Sequence, residues 1–325
     1  MLLLFAACAS SAAPGAYPLD DVLTFADLQA LGTHNSYHMR TEGVDVEEWD
    51  YEHLPLDEQL DTQGVRQFEL DINWNADDHL FEVYHVGFID QTSTCWLLTE
   101  CLSVMKGWSD GHPGHHPLFT LLEMKATYDA ETADDVLAEL EAEVLSVWPQ
   151  ERIVSPDDLG DGALSEAVAT AGWPTLGALR GKALWVLHDT GDWRAHYTDG
   201  NVSAAGRVLF PDGGGDLSLA VGAVDTINDA VGDADRIAEA VAAGHLVRTR
   251  ADGDTVQARA NDPSTRDAAL ASGAHFVSTD FPAPHPDTGY VVSIPGGTPS
   301  RCNPLRAPSQ CTSAAVEDPT LLSTD

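Results

Sequence analysis

The sequence predicts an α/β protein built as a closed (β/α)8 TIM barrel. Three observations carry that prediction. Eight short β-rich runs recur along 325 residues, amphipathic helical patterns lie between several of them, and the runs are apolar early and polar at their C-terminal ends. Strands alternating with helices make parallel βα units. Eight of them favour ring closure over an open sheet, with the polar strand ends gathered on one rim.

The chain opens on "MLLLFAACASSAAPGAYP", apolar and then small and Ser/Ala-rich, which reads as the end of a secretory leader without its basic start. Cys8 after Phe5-Ala6-Ala7 is placed as in a bacterial lipoprotein cleavage site. Residues 1–20 are therefore read as leader and linker, and the protein is expected to be secreted or lipid-anchored at a bacterial cell envelope. The β-rich runs follow at 25–31, 65–72, 80–86, 118–125, 183–189, 206–210, 245–250 and 275–280. The link from the second run to the third is short, so the alternation is imperfect there.

Among the helical patterns, "ETADDVLAELEAEVLSVW" (131–148) carries acids in its first turn, which suits the positive end of a helix. "DADRIAEAVAAG" stops on Gly244, and "NDPSTRDAALASG" runs from Pro263 to Gly273, each a helix boundary signal. These elements assign 21–285 to the barrel. Residues 286–325, rich in Pro, Gly and Ser at their start, read as an extended tail. Cys95 and Cys101 are six apart and Cys302 and Cys311 nine apart, so an exported chain is expected to form two local disulfides. No CxxC spacing points to zinc.

Acidic residues number 52 against 16 basic ones, a formal net charge of −36. That excludes the basic footprint of a general nucleic-acid binder and opposes adsorption to anionic bilayers. With three lysines and thirteen arginines, each cation is informative. Arg248, Arg250, Arg259 and Arg266 fall in one short region of local positive charge.

In "RQFELDI", Phe68, Leu70 and Ile72 alternate with Gln67, Glu69 and Asp71. Period-two alternation sends the apolar set to the surrounding helices and both carboxylates into the barrel mouth. "LLEMK" does the same with Glu123 and Lys125, and "LVRTR" with Arg248 and Arg250. Run ends also supply His34, Asn35, His85 and His188, the last expected to be structural or at the pocket rim. Three carboxylates and an amide oxygen form a hard oxygen site suited to Ca²⁺ or Mg²⁺. Two histidines beside such an ion suit acid–base work on a phosphate ester, and the cations suit an anionic substrate. Arg248 and Arg250 have a second reading, as partners of the abundant carboxylates.

The motifs "THNSY", "ELDI", "YHVG" and "LLEMK", in that order, with "SGAHFVSTDFP" near the end, resemble the phosphoinositide-specific phospholipase C superfamily. The closest branch is the calcium-dependent bacterial phosphatidylinositol phospholipases C, and the resemblance spans roughly Asp27 to Pro282. It implies a PLC-like phosphodiesterase barrel with His34 and His85 as the catalytic pair and Asn35, Glu69, Asp71 and Glu123 as Ca²⁺ ligands. It further implies attack by the inositol 2-hydroxyl on phosphorus, His85 protonating the departing diacylglycerol oxygen and His34 holding a phosphoryl oxygen. The products would be diacylglycerol and a cyclic inositol phosphate. Lys125, Arg248 and Arg250 are assigned to the substrate by placement. The expected partners are phosphatidylinositol and, transiently, a membrane surface, with no nucleic acid and a monomeric chain.

Two rivals share the barrel: a glycerophosphodiester phosphodiesterase acting on deacylated lipid, and a catalytically silent exported binding protein. Asp71, Asn73, Asn75, Asp77, His79 and Glu82 imitate EF-hand ligand spacing, but Ala76 replaces the turn glycine and the flanks read as strands. "HPGHH" (112–116), bracketed by Pro and Gly, reads as a surface loop.

Overall fold

The computed structural model describes residues 17–297 and 299–318. Cys8 and most of the leader reading lie outside the described residues. The strands are β1 (Leu28–Thr33), β2 (Gln67–Asn75), β3 (Leu80–Val83), β4 (Leu118–Met124), β5 (Ile153–Val154), β6 (Ala183–His188), β7 (Phe210–Pro211), β8 (Val224–Asp229), β9 (Leu246–Arg250), β10 (Phe276–Thr279) and β11 (Ser300–Cys302). Parallel pairing runs β6, β4, β2, β1, β10, β9, β8. β5 and then β7 pair along the other edge of β6, and a single parallel bridge from Asp212 to Val224 brings that edge to β8. The curled sheet thus meets itself, as a barrel requires.

Two element readings need correction. The run at 80–86 is not a barrel strand: β3 folds back antiparallel on β2 from Ile72↔Val83 to Asn75↔Leu80. Its short link permits only a hairpin, since a parallel crossover needs a dozen or more residues. The barrel strand that the sequence reading missed is β8, "VDTIND", whose polar end hides its apolar start. The same β2–β3 hairpin occupies the EF-hand imitation, as the strand flanks require.

Alternation along the strands divides two cores. Leu28, Ala30, Phe119, Leu121, Leu184, Val186, Phe210, Val224, Leu246 and Phe276 belong to one buried cluster. Phe119 of β4 and Phe276 of β10, which are not neighbours in the sheet, stack with centroids 4.2 Å apart across the barrel interior. Phe68, Leu70, Ile72, Leu118, Leu122, Trp185, Leu187 and Val277 belong to the outer cluster with the helices Leu98–Gly111, Ala133–Val147 and Ala234–Ala243. Continuing the interior parity toward the strand ends gives His34, Glu69, Asp71, Glu123, Lys125, His188, Asp212, Arg248, Arg250 and Asp280. Gly32 permits the close approach of β1 to β2, because a Cβ there would meet Gln67 Oε1 at 2.0 Å.

Both expected disulfides, Cys95–Cys101 and Cys302–Cys311, are present. The tail is more than an extended segment: β11 pairs antiparallel with β1, and Glu317 is buried against Arg66. The 112–116 reading is corrected as well. His115 and His116 are buried, sharing hydrogen bonds with Ser109 (2.7 Å) and Ser300 (2.6 Å). Proline and glycine mark the bend, but the tail covers it.

Candidate active site

The turn after β1 builds one wall. Ser36 N donates to Glu69 O (2.9 Å) and Glu69 N donates to Ser36 Oγ (2.9 Å), locking "THNSY" to β2. Asn35 takes a left-handed backbone (φ 42°), which asparagine tolerates better than most residues. Its Oδ1 is buried and accepts no hydrogen bond. The side chain is therefore not spent on an Asx turn.

His34 Nδ1 sits 2.8 Å from Asp280 Oδ1, while Arg250 Nη1 lies 3.4 Å from His34 Nε2. Arg250 Nη2 donates to the other Asp280 oxygen at 3.1 Å. Burial, and then the nearby Arg250 charge, push the His34 pKa below its ordinary value. Against its burial, the pairing with His34 and Arg250 holds the Asp280 carboxylate down to about 2. Behind it, Asp252 accepts from Asp280 N (2.9 Å) and from Thr279 Oγ1.

His85 has its own aspartate. Its Nδ1 and His38 Nε2 each approach Asp90 Oδ2 at 2.9 Å, and Thr41 Oγ1 donates to Oδ1 at 2.9 Å. Burial opposes the charge, but these hydrogen bonds keep Asp90 well below the usual carboxylate range. The Tyr51 ring stands between the two histidine pairs, 6.3 Å from the His34 ring and 4.5 Å from that of His38.

Between these walls lie the carboxylates. Glu69 Oε2 accepts from Arg248 Nη2, whose Nη1 donates to Asn228 Oδ1. Despite burial, Arg248 holds Glu69 below its ordinary pKa. Asp71 is fully buried, and neither oxygen accepts a well-formed hydrogen bond. Burial, and then the neighbouring Glu123, push its pKa well up. Lys125 Nζ lies 2.8 Å from Glu123 Oε1 and 3.1 Å from Asp71 Oδ2.

Oxygens of Glu69 and Glu123 and a ring nitrogen of His188 lie within 4.8 Å of one another. His188 is therefore in the site, not merely at its rim. Its Nδ1 bonds Asp212 Oδ2 at 2.6 Å, which raises its pKa to about 9 against burial.

The structure thus brings Glu69, Asp71, Glu123, Lys125 and His188 together, with Asn35 on the turn that Ser36 locks to Glu69, His34 and Arg250 on one side and His85 beyond Tyr51. Arg248 is wholly buried and spent on Glu69 and Asn228. Arg259 and Arg266 serve elsewhere, bonding Glu47 O and Val291 O. Asn35 Oδ1 is orphaned, and Glu69, Asp71 and Glu123 supply carboxylate oxygens, a set of donors of the kind a hard divalent cation takes. The sequence reading missed the aspartates Asp280, Asp90 and Asp212. Asp280 was visible as the interior-parity end of "HFVSTD", whereas Asp90 sits on a loop and Asp212 follows a two-residue strand.

A family model described as "Phosphoinositide phospholipase C, Ca2+-dependent" matches residues 23–79 and 76–304. Among solved structures, calcium-dependent phosphoinositol-specific phospholipase C from Pseudomonas sp. superposes with TM-score 0.63 at 22% identity, covering 88% of this chain and 97% of that one. Its myoinositol complex gives the same score and identity over 90% and 100%. The Ca²⁺-dependent phosphatidylinositol-specific phospholipase C of Streptomyces antibioticus gives 0.59 at 22% identity over 80% and 96%. Likeness at this identity establishes the fold. No curated protein matches the sequence.

Proposed function

The chain belongs to the Ca²⁺-dependent phosphoinositide phospholipase C family, and from that premise we propose that it cleaves phosphatidylinositol to diacylglycerol and a cyclic inositol phosphate. One observation carries the reading: two aspartate-held histidines, His34–Asp280 and His85–Asp90, flank a nest of oxygen donors at the barrel mouth. Asn35, Glu69, Asp71 and Glu123 would hold the calcium ion. When bound, it would lower the pKa of the attacking inositol 2-hydroxyl and neutralise charge developing on the phosphate.

The chain's own groups do the rest. Asp280 accepts the His34 Nδ1 proton and so fixes the ring, whose Nε2 faces Arg250 and donates to a phosphate oxygen when the ring takes up a second proton. Arg250 is a fixed donor on the same side, and Lys125 supplies a second positive charge. Arg248 acts at one remove by orienting Glu69. A carboxylate, Glu69 or Glu123, takes the 2-hydroxyl proton as that oxygen bonds to phosphorus. The bond from phosphorus to the glycerol oxygen breaks, and His85 gives its Nε2 proton to that oxygen. Asp90 holds His85 Nδ1 and makes Nε2 the nitrogen that exchanges the proton.

Phe88, fully exposed, and Ile89, 54% exposed, lie on the turn between His85 and Asp90. Apolar side chains beside the leaving-group acid suit contact with a lipid surface. The charge of −36 opposes that contact on anionic bilayers, so salt should assist it.

The test is hydrolysis of phosphatidylinositol micelles with Ca²⁺, with and without a chelator, beside a glycerophosphoinositol control. Calcium-dependent diacylglycerol release supports the proposal. Cleavage of the deacylated control alone would move the chain to phosphodiesterase chemistry, and no turnover of either would sink both.

A further inference from the structure

Lys125 is one of three lysines in the chain and stands apart from the other two. Lys106 bonds Asp110 on a surface helix, and Lys182 precedes β6 at the opposite end of the barrel from the site. Lys125 instead projects its ammonium between Asp71 and Glu123, 3.1 and 2.8 Å from their oxygens. Asp71 is fully buried, and this ammonium is the cation that pairs with it. Two carboxylates so close are mutually repulsive without a cation between them. The lysine thus sits between two of the four groups assigned to the ion.

We propose that Lys125 is a tethered competitor of the calcium ion: it neutralises Asp71 and Glu123 in the ion-free protein and must leave them for the ion to enter. This rests on the calcium reading above. A second cation brought to the same oxygens would stand within a few ångströms of the ammonium, so both cannot keep those partners. The Lys125 side chain is 28% exposed, which gives the ammonium a route outward into the mouth. The lysine therefore weakens calcium binding while sparing the empty site its internal repulsion. It also hands a positive charge to the mouth, where the phosphate arrives, at the moment the ion binds.

Calorimetric titration of Ca²⁺ into the wild type and into Lys125→Met and Lys125→Gln tests this without an activity assay. Both variants are expected to bind calcium at least about tenfold more tightly than the wild type, and to melt lower in chelator with a larger calcium-induced rise. Equal or weaker binding in the variants would overturn the competitor role and leave the calcium cage standing. Absence of binding by all three proteins would overturn both.

A measurement on the wild type needs no variant to fold. Acylation by an amine-reactive reagent, mapped by mass spectrometry, is expected to rise severalfold at Lys125 when Ca²⁺ is added, with Lys106 as the internal standard. Unchanged or reduced labelling at Lys125 would overturn the proposal.

Discussion

Asp280 Oδ1 lies 2.8 Å from His34 Nδ1, joining the end of the last barrel strand to the turn after the first. His34 N also donates to Thr279 O, so backbone and side chain fix the same junction. Asp252 secures the strand end from behind through Asp280 N, Thr279 and Tyr290. A histidine so held is pre-oriented before substrate arrives. Asp280→Asn is therefore expected to lower kcat by about a hundredfold or more, with a smaller change in KM, because proton placement and not binding is lost. Steady-state kinetics on micellar phosphatidylinositol check this, and an unchanged kcat would deny Asp280 its role.

Asp90 gives one oxygen to both His85 and His38. Asp90→Asn should cost roughly ten- to a hundredfold in kcat by loosening the His85 ring and its tautomer. In the His85→Ala background the same change should cost little more, since the two residues act as a unit. Additive losses would mean that Asp90 supports the loop and not the histidine.

The site was legible in the sequence where strand alternation carries chemistry. Glu123 and Arg248 sit two residues after the interior Leu121 and Leu246, and Glu69, Asp71 and Arg250 take the parity opposite the outward Phe68, Leu70, Ile72 and Val247, so periodicity places all five. It could not show that Arg248 is consumed by Glu69, which depends on two strands far apart in sequence and on opposite sides of the mouth. Nor could it separate β3 from a barrel strand, because a hairpin strand and a barrel strand have the same period. The sequence shows eight runs only because β3 is among them, whereas β8 is masked by its end, where Asn228 and Asp229 look like a turn. The role of His188 stays hidden because its partner Asp212 follows a strand of two residues that no periodicity can mark.

The turn carrying Phe88 and Ile89 separates surface action from chemistry. Phe88 is fully exposed at positive φ (66°) and packs on nothing that would explain an aromatic there. Phe88→Ser is expected to slow turnover of micellar or vesicular phosphatidylinositol about ten- to a hundredfold while leaving hydrolysis of a short-chain monomeric substrate within about twofold, since one buried aromatic is worth roughly 1.5–3 kcal/mol. Equal losses on both substrates would place Phe88 in the chemistry instead, through its neighbour His85.

The opposite end of the barrel predicts how stability responds to acid. Glu317 is 2% exposed and paired with Arg66, which is 1% exposed, and His116 N donates to it as well. Burial opposes the charge, yet Arg66 first and then His116 hold the carboxylate down to about 2. A depressed carboxylate stabilises the fold fully above its unfolded pKa near 4.5, and that contribution fades as pH falls toward 2. Burial also lowers His115 to about 3 and His116 to about 4, so both resist protonation. Their contribution begins to fade earlier, below about 6.5, as the unfolded chain takes up those protons first. Wild-type stability should thus decline in two overlapping stages between about pH 6.5 and 2. Glu317→Gln should cost about 3–5 kcal/mol near neutrality by leaving Arg66 buried and unpaired, and it should remove the lower stage. The double variant Arg66→Met/Glu317→Leu should recover most of that loss, because a hydrophobic pair of similar volume needs no desolvation of charge. Denaturant melts from pH 7 to 3 on the three proteins measure each part. A Glu317→Gln variant as stable as the wild type would show that the tail is not held by this pair.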